Sequence, residues 1–513
     1  MRNGQKHRRL ALRAGALLLA LVLIPLLRAP VSAAEGTLGY EGGISVVNRL
    51  VKDTYQYREV AFVTGKPVVL DGTVTIKKTV KAGKETATYT YKLVNAAQAA
   101  TLTRVLILDT AVDTKNNGQI TKSSLFQKLP TEVLKIGSTT YTLASETFTR
   151  SDLTDPKPAV DYHAGEFRSK KVYRVGTGAD VPTVTVETSG TVHAYDQYWS
   201  DTQTQKLAMQ VTWAKKGAPS WGGTAVVTVS SSSRQKIDYR ANAPTQISFD
   251  GGYLRTTWNE AVLAYEASFP EFDKGGAATD RMVRYKDTLA LDTEPIYERL
   301  QVPDIRHLKG HFAEQAIHIL YGLEVIPGTG EDYNPEKYLT REAFVAQAVK
   351  VFKAVPADPN LRTTATATAR RTAAAAPVAP FADLDGKEIH YQEIVDASNR
   401  GIVIGRGMSF FRPDDYITRA EVVTIAIRAL GLGNLAPWPH AVAPFVDNDE
   451  IPAYARNPAA VAAEIGVLGA DDAGRFRPSD FMTAAEAADM FHRLVNYMGD
   501  DLVTDYREHI TNW

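Results

Sequence analysis

Two patterns of apolar positions divide the chain. Over residues 40–252, β-branched and aromatic residues alternate with polar ones in short runs, for example at residues 207–213. A period of two, broken by Gly, Asp and Asn, is typical of antiparallel strands. We therefore predict an all-β, sandwich-like region over residues 35–252. A loose internal sequence similarity leaves open whether this region holds two related β-domains, at about residues 35–165 and 166–252.

The spacing of apolar residues changes after residue 252. Residues 253–300 place apolar side chains at helical intervals, as from Trp258 to Tyr265, and are predicted to be a connector. Residues 354–378 are rich in Ala, Thr, Pro and Arg and show no apolar periodicity. That composition predicts a solvated, low-complexity linker.

After residue 300, one unit recurs three times. Each copy starts with an Asp and contains, further along, a three-residue motif of an aromatic residue, any residue and Pro. A Thr stands five residues after that Pro. The starting residues are Asp304, Asp383 and Asp447, and the Thr residues are Thr340, Thr418 and Thr483. We predict that the copies span residues 301–353, 379–433 and 443–500.

Each copy has the pattern of a helix, a glycine turn, a loop and a second helix. In the second copy, Gly401 ends the first helix and opens the turn. Thr418 and Glu421 then form the pattern of a capping box, in which Thr caps the helix and Glu bonds back to the cap. Thr483 and Glu486 repeat this box, whereas the Glu of the first copy stands one position early.

Arg419 occupies the first position of the second predicted helix, where the helix dipole disfavours a cation. A carboxylate or phosphate bound beside the free backbone amides would explain a cation at this place. The alternatives are an exposed Arg without a partner and a salt bridge to a neighbouring Asp. Arg341 recurs at the same position of the first copy, which favours the bound anion.

The N-terminus has the order of charge and hydrophobicity of a secretory signal peptide, which we place at residues 1–34. A basic stretch precedes an apolar run over residues 14–27, and small residues follow, so cleavage is predicted after Ala33 or Ala34. The alternative is a retained membrane anchor, but the run is shorter than the roughly 20 residues that a spanning helix needs. We expect no membrane contact after cleavage.

Composition narrows the class of protein further. The 58 basic residues balance 58 acidic ones, which leaves no overall field to recruit nucleic acid. The absence of Cys excludes disulfides, thiolate metal sites and Cys nucleophiles, and in a secreted chain it favours Gram-positive export. We predict no metal site and no cofactor.

No catalytic motif is recognised, so enzymatic activity stays open and is disfavoured. Residues 113–120 resemble a calcium loop, but Lys115 takes a ligand position, and a hairpin turn is the better interpretation. Residues 195–201 have the aromatic and carboxylate content of a sugar-binding patch or a glycosidase site. Aromatic residues in a β-region usually pack in the core, and we favour that interpretation.

The second copy resembles an S-layer homology (SLH) repeat. The resemblance rests on Phe381-x-Asp383, Tyr391, the Gly401 turn, Phe411-Arg412-Pro413 and the run from Ile417 to Glu421. It extends over about residues 301–500 and implies an all-α, pseudo-threefold SLH repeat domain. The grooves of such a domain would bind an anionic, pyruvylated secondary cell-wall polysaccharide.

By position in the motif, the resemblance assigns ligand-binding roles to four residues in each of two copies. They are Arg419, Asp383, Tyr391 and Gly405 in the second copy, and Arg341, Asp304, Phe312 and Gly328 in the first. In the third copy Ala484 replaces the Arg, so this copy is expected to be structural or to bind weakly. The second copy has the most complete set.

The combined prediction is a multi-domain protein whose all-β, sandwich-like N-terminal region precedes the SLH repeats. It would be secreted and held non-covalently at the cell wall or S-layer by the secondary cell-wall polymer, with other envelope proteins as candidate partners. The β-rich region would have a structural or interaction role. The alternatives are a wall-tethered enzyme that acts on polysaccharide and an adhesin, each with its active part in the β-rich region.

Overall fold

The structure covers most of the β-rich region and of the three repeated units. It is a computed structural model and describes residues 42–47, 53–81, 84–241, 252–353, 379–407, 409–435 and 443–510. The predicted signal peptide and the predicted linker at 354–378 lie outside these residues. None of the helices in these ranges is both long and apolar enough to cross a membrane.

One continuous antiparallel sheet of 15 strands forms within the described ranges. The strands are β1 (Ile44–Val47), β2 (Thr54–Ala61), β3 (Val68–Lys81), β4 (Lys84–Asn95), β5 (Ala100–Thr114), β6 (Ile120–Phe126), β7 (Thr131–Ile136), β8 (Thr139–Pro156), β9 (Asp161–Val175), β10 (Thr183–Asp196), β11 (Asp201–Ala214), β12 (Trp221–Arg240), β13 (Gly252–Phe272), β14 (Ala278–Asp292) and β15 (Ile296–Arg299). They pair in sequence order, except that β6 and β7 lie end to end between β5 and β8, and β15 joins β13 beside β14. The hairpin predicted at residues 113–120 is confirmed, since it connects β5 to β6.

The sheet folds back on itself, so that early and late strands face each other across one core. Phe62, directly after β2, packs on Tyr265 and Phe269 of β13, with ring centroids 5.7 and 5.9 Å away. Arg58 of β2 donates to the Ala290 carbonyl of β14 at 3.0 Å. The β-rich N-terminal region is confirmed. The predicted sandwich is wrong, because consecutive hairpins keep every described strand in a single sheet.

The helical spacing predicted for the connector is also wrong, because its residues form β13, β14 and β15 of the same sheet. Strand β13 buries Ala261, Leu263 and Tyr265 on one face, which is the period of two expected for a strand. Val262 and Ala264 lie on the opposite, half-buried face. Apolar residues on both faces made this run resemble a helix.

A cluster of charged side chains lies in the core of the sheet. Arg104, only 3% exposed, donates to both carboxylate oxygens of Glu59 at 2.9 Å and to those of Glu132 at 2.9 and 3.1 Å. Lys171 and Tyr173 donate to Glu132 at 2.9 and 2.8 Å. Burial alone would raise the pKa of Glu132, but Arg104 and Lys171 outweigh it and hold this pKa well below its usual range.

Seven α-helices belong to the C-terminal part of the chain in the described ranges. They are α1 (Glu314–Gly322), α2 (Arg341–Phe352), α3 (Tyr391–Asn399), α4 (Arg419–Leu430), α5 (Ala453–Glu464), α6 (Ala484–Asn496) and α7 (Leu502–Asp505). Short 3-10 segments lie at Arg306–Leu308, Leu432–Leu435 and Asn448–Glu450, and π-helical segments lie at Tyr497–Asp501 and Tyr506–Ile510. Isolated β-bridges also pair Tyr338 with Thr483, Thr340 with Tyr416, and Thr418 with Phe481.

One end of the sheet packs on these helices and shares their apolar core. Tyr195 and Trp199, at 0% and 1% exposure, belong to that shared core, which confirms the core interpretation of residues 195–201. Two side chains at this end of the sheet donate to helix-end carbonyls, namely Trp199 to Val351 at 2.8 Å and Tyr162 to Leu430 at 2.9 Å. The last carbonyls of a helix have no partner within it, so the sheet supplies their donors. Gln197 donates to Met498 of the π-helical segment.

The prediction of an all-α repeat domain is therefore wrong. Extended backbone links the three units where their second helices begin. The sheet contributes Ala159, Val160, Tyr195 and Trp199 to the core of the helices. The helical units are completed by the sheet, and any test of their function needs the full chain.

Replacing Trp199 by Phe is expected to lower the free energy of unfolding by about 1–2 kcal/mol. Most of the aromatic packing is kept, but the buried Val351 carbonyl loses its donor. Urea unfolding followed by circular dichroism measures the difference. Trp213→Phe, on the half-buried Trp213 of β11, is the matched control and should cost less than about 0.5 kcal/mol. Equal losses in both variants would contradict the role of the Trp199 hydrogen bond.

Candidate functional site

The second helices of the three units begin at a closed ring of backbone hydrogen bonds. Leu339 donates to the Met482 carbonyl at 3.0 Å, Met482 to Ile417 at 3.0 Å, and Ile417 to Leu339 at 3.1 Å. All three side chains are buried. This ring of backbone hydrogen bonds therefore fixes the relative positions at which helices α2, α4 and α6 begin.

The first amides of these helices are occupied by the neighbouring unit. The N–H of Arg341 donates to the Asp415 carbonyl at 2.8 Å, that of Arg419 to Asp480 at 3.0 Å, and that of Ala484 to Lys337 at 2.8 Å. These are the groups that an anion at a helix N-terminus would use. The free amides assumed beside Arg419 are thus already bonded, and only the guanidinium remains to attract an anion.

Side-chain caps complete the helix starts. The capping boxes predicted for α4 and α6 are confirmed. In α2, Thr340 accepts from the Ala343 N–H at 3.2 Å, as a capping Thr does. Glu342, displaced by one position, accepts instead from the His390 N–H at 2.7 Å. Through this bond the start of α2 contacts the start of α3.

Asp383 holds the turn that precedes α4. Its carboxylate accepts from the N–H groups of Phe411 and Arg412 at 2.7 and 2.6 Å, and Arg412 has a positive φ of 58°. Burial would raise the pKa of Asp383, but these hydrogen bonds outweigh it and the pKa lies below its usual value. Asp447 holds the corresponding turn of the third unit with bonds of 2.7 and 2.8 Å.

The residues predicted for the first unit have other surroundings. Asp304 is exposed and accepts from the backbone N–H and the Nε of Arg306 at 3.2 and 2.9 Å, so its bonds stay within its own turn. Phe312 is 67% exposed and its ring lies 4.6 Å from that of His311. Gly328 has a φ of 100°, a conformation that favours glycine.

Arg419 reaches from the second unit into the third. Its Nε donates to the Phe476 carbonyl at 2.7 Å, its Nη2 to the Gly469 carbonyl at 3.1 Å, and its Nη1 pairs with Glu486 at 3.2 Å. The side chain is 4% exposed. Because each guanidinium nitrogen has an acceptor and these acceptors lie in the third unit, Arg419 holds the second and third units together.

Arg341 makes the corresponding contact between the first and second units with fewer acceptors. Its Nη2 donates to the Ile404 carbonyl at 3.0 Å, and the guanidinium lies 5.1 Å from the centre of the Phe411 ring. Its Nη1 is 3.5 Å from Glu421. Among the residues that the structure describes, the buried Nε has no hydrogen-bond partner. Arg341 is 4% exposed and is a buried cation that its surroundings compensate only in part.

Arg406 and Tyr454 border this cation. Arg406 bonds to both oxygens of Glu421 at 2.6 Å, closer than Arg341 does, and to Asp415 at 2.6 Å. Burial raises the pKa of Tyr454, whose hydroxyl also feels the charges of Glu421, Arg406 and Arg341. Burial lowers the pKa of Arg341, and the neighbouring Arg406 acts in the same direction. We call Arg341, Ile404, Arg406, Phe411 and Tyr454 the Arg341 site.

The structure brings the predicted residues together in a different combination. Gly405 follows Ile404, so its turn contacts Arg341, and the turn that contacts Arg419 is the one at Gly469. A Cβ at Gly405 would come within 3.1 Å of the Phe381 ring, which explains the glycine. Tyr391 begins α3, next to the residue that bonds to Glu342.

Site residues predicted one unit at a time do not include the neighbours of Arg341, because these side chains meet across unit boundaries. Arg406 and Tyr454 were missed. Arg406 directly follows Gly405, and Tyr454 stands seven residues after Asp447. Both residues stand one position away from a motif position, so motif positions widened by one residue on each side would include them.

Comparison with known proteins identifies two of the repeated units. The S-layer homology domain matches residues 304–345 and 380–423. Exoglucanase XynX of Acetivibrio thermocellus is 28% identical over 254 residues, which cover 47% of this chain and 22% of the relative. Amylopullulanase of Thermoanaerobacterium thermosulfurigenes is 27% identical over 197 residues, which cover 38% of this chain and 10% of the relative. The chain thus spans less than a quarter of the length of either relative.

The two matched ranges contain the starts of α2 and α4, and with them both arginines. S-layer homology domains anchor proteins at the cell surface. The chain therefore carries S-layer homology domains at residues 304–345 and 380–423, and they mark it as a secreted protein of the cell wall or S-layer.

Proposed function

We propose that the chain is anchored non-covalently to the cell wall by three S-layer homology units that bind an anionic, pyruvylated secondary cell-wall polysaccharide. The observation that carries the proposal is Arg341, a buried cation at the boundary between the two matched domains whose Nε has no acceptor among the residues that the structure describes. A carboxylate, such as that of a pyruvyl ketal, would pair with this cation once the side chains that cover its Nε move aside. Arg406 borders the site, but its three guanidinium nitrogens already bond to Glu421 and Asp415, so Arg341 is the proposed partner of the carboxylate.

The third unit, at residues 443–500, is proposed as a repeat on its geometry. Asp447 holds the same turn as Asp383, and the capping box of α6 matches that of α4. Arg419 reaches into this unit as Arg341 reaches into the second. The boundary from the third unit back to the first has Ala484 in place of an arginine, and the Tyr333 hydroxyl donates to the Ala484 carbonyl at 3.0 Å.

The two arginine-bearing boundaries are proposed to differ in role. Every guanidinium nitrogen of Arg419 is already bonded, so this residue mainly holds the second and third units together. Arg341 keeps unused hydrogen-bonding capacity, so the Arg341 site is the proposed binding site. Asp383 is proposed as a positioning residue. Ligand contacts of Tyr391, Asp304, Phe312 and Gly328 stay predictions.

For the sheet we propose a structural or interaction role. A shallow groove of about 850 Å³ crosses the outer face of β8–β12. Glu187 is the one carboxylate among the described residues that line it, and it pairs with Lys170 at 2.7 Å. Glycoside hydrolysis usually takes two carboxylates that face one cleft.

The second candidate is a wall-tethered enzyme that acts on polysaccharide, which the names of both relatives favour. Their matched stretches cover 22% and 10% of their own lengths, so the shared part accounts for little of either relative. An adhesin is the remaining alternative. Release of reducing sugar from wall polysaccharide by the full chain would favour the enzyme.

Anchoring is tested by incubating the full chain with purified wall sacculi. We expect at least about tenfold more protein on intact sacculi than on sacculi stripped of their secondary polymer. Sacculi whose pyruvyl groups are removed by mild acid should behave like stripped ones, because the carboxylate is lost. Equal retention on intact and stripped sacculi would contradict the anchoring proposal.

A further inference from the structure

Three aromatic rings form an exposed cluster where the second helices of the units begin. Tyr338, Tyr416 and Phe481 have ring centroids 5.7, 5.8 and 5.4 Å apart and are 47%, 46% and 44% exposed. Each stands two residues before the capping Thr of α2, α4 or α6. We call these three residues the aromatic triad. Exposed apolar side chains that touch each other and have a polar rim are typical of a binding surface.

The backbone holds the triad in a fixed arrangement. The residue after each ring belongs to the closed ring of hydrogen bonds at Leu339, Ile417 and Met482. An isolated β-bridge also joins each ring residue to a capping Thr of a neighbouring unit. The sheet contacts the opposite ends of the same helices, at Val351 and Leu430. The triad is therefore a preformed surface on the side away from the sheet.

Polar groups surround the rings. Lys337, Asp415 and Asp480 directly precede the three ring residues, and the two carboxylates have side-chain exposures of 45% and 55%. Two of the rings carry phenol hydroxyls. A neutral pyranose has an apolar face of C–H groups and an edge of hydroxyls, which matches apolar rings bounded by hydrogen-bonding groups. Asp415 pairs with Arg406 at 2.6 Å and Asp480 with Arg477 at 3.5 Å, so the charges around the rings are balanced, as suits a neutral ligand.

We propose that the aromatic triad stacks on a neutral sugar ring of the wall polysaccharide, next to the sugar whose carboxylate binds at the Arg341 site. The inference rests on the proposed anchoring function. Arg341 stands three residues after Tyr338, and its N–H donates to the Asp415 carbonyl, directly before Tyr416. The backbone therefore connects the start of α2, which carries Arg341, directly to two residues of the triad. A polymer bound at the Arg341 site is proposed to continue from there to the rings.

The test is a calorimetric titration of solubilised, pyruvylated wall polysaccharide into the full chain. The double variant Tyr338→Ala/Tyr416→Ala is expected to bind about five- to tenfold more weakly. Tyr338→Phe/Tyr416→Phe keeps the rings and should bind within about twofold of the wild type. Tyr297→Ala removes a 61% exposed ring from β15, away from the triad, and is the matched control with unchanged affinity.

A second variant tests the same surface independently. Phe481→Ala removes the ring without a hydroxyl and is expected to weaken binding about two- to threefold. Thermal unfolding of each variant shows whether it is folded at the titration temperature. Wild-type affinity in folded Phe481→Ala and in folded Tyr338→Ala/Tyr416→Ala would overturn the stacking proposal.

Arg341→Gln in the same titration separates this proposal from the anchoring function. Weak binding by Arg341→Gln together with wild-type affinity of the triad variants overturns stacking and leaves anchoring in place. A wild-type chain that does not bind the polymer overturns both. Sedimentation of the same samples tests whether a second copy of the chain occupies the triad instead. A wild-type dimer that becomes monomeric in the double variant, with unchanged polymer affinity, would identify a second copy and overturn stacking.

Discussion

Replacing Arg104 by Met is expected to lower the free energy of unfolding by about 3–5 kcal/mol. The Met side chain fills much of the vacated volume. Glu59 and Glu132, however, would remain in the core without the guanidinium that bonds to all four of their oxygens. Buried carboxylates in that position must take up a proton or draw in water. Urea unfolding of the full chain at pH 7 measures the loss.

The dependence on pH identifies the cause of this loss. Arg104 and Lys171 hold the folded-state pKa of Glu132 below its unfolded-state value of about 4.3. The resulting stabilisation is present above that value and is lost as the pH falls below it. The difference in stability between wild type and Arg104→Met should therefore be widest near pH 7 and narrow below about pH 4–5.

Arg281→Met is the matched control for Arg104→Met. Arg281 has a 77% exposed side chain and lies 3.5 Å from Glu271. Its replacement should change the free energy of unfolding by less than about 1 kcal/mol. A stability gap for Arg104→Met that stays constant from pH 7 to pH 4 would show that lost packing, and not unpaired charge, is the cause.

Local patterns along the chain predict many elements of this fold. The period of two in runs such as residues 207–213 does correspond to strands, here β11. The Thr and Glu of the capping boxes at α4 and α6 bond as predicted, because both partners lie within one helical turn. Features of this kind depend on neighbours in sequence, and the sequence alone is enough to find them.

Features that depend on distant partners could not be predicted in the same way. Strand β13 has apolar residues on both faces, since Val262 packs half-buried opposite the core residues Ala261 and Leu263. A local pattern cannot distinguish this from a helix. Likewise, the sequence predicts that residues 195–201 lie in a core. The bond from Trp199 to a helix 152 residues further along depends on the tertiary fold, so local patterns do not predict it.

The candidate site illustrates the same limit. The motif positions of Arg341 and Arg419 predict where two equivalent cations stand. Their acceptors lie 63 and 57 residues away, at Ile404 and Phe476 of the following unit. Equivalent positions in a repeat therefore have different chemistry, because within the described ranges Arg419 has an acceptor for every guanidinium nitrogen and the Nε of Arg341 has none.

The second large effect is expected in ligand binding. Arg341→Gln should weaken binding of pyruvylated wall polysaccharide by at least about 30-fold, equivalent to about 2 kcal/mol. The amide of Gln reaches only to about the position of the Arg341 Nε, so the bond from Nη2 to the Ile404 carbonyl is also lost, and the unfolding of the variant is measured alongside its binding. The positive charge that would pair with the carboxylate of the polymer is lost.

Arg419→Gln is the matched control, at the same helix position with the same substitution. Because Arg419 bonds to two carbonyls and to Glu486, its loss should lower the free energy of unfolding by about 2–3 kcal/mol. At a temperature where this variant is folded, its affinity for the polymer should stay within about threefold of the wild type.

Calorimetric titration of the pyruvylated polysaccharide into the wild-type full chain and into Arg341→Gln tests anchoring through the Arg341 site most directly. The predicted result is a folded Arg341→Gln variant whose affinity is reduced by at least about 30-fold. A folded Arg341→Gln variant that binds the polysaccharide as tightly as the wild type would contradict it.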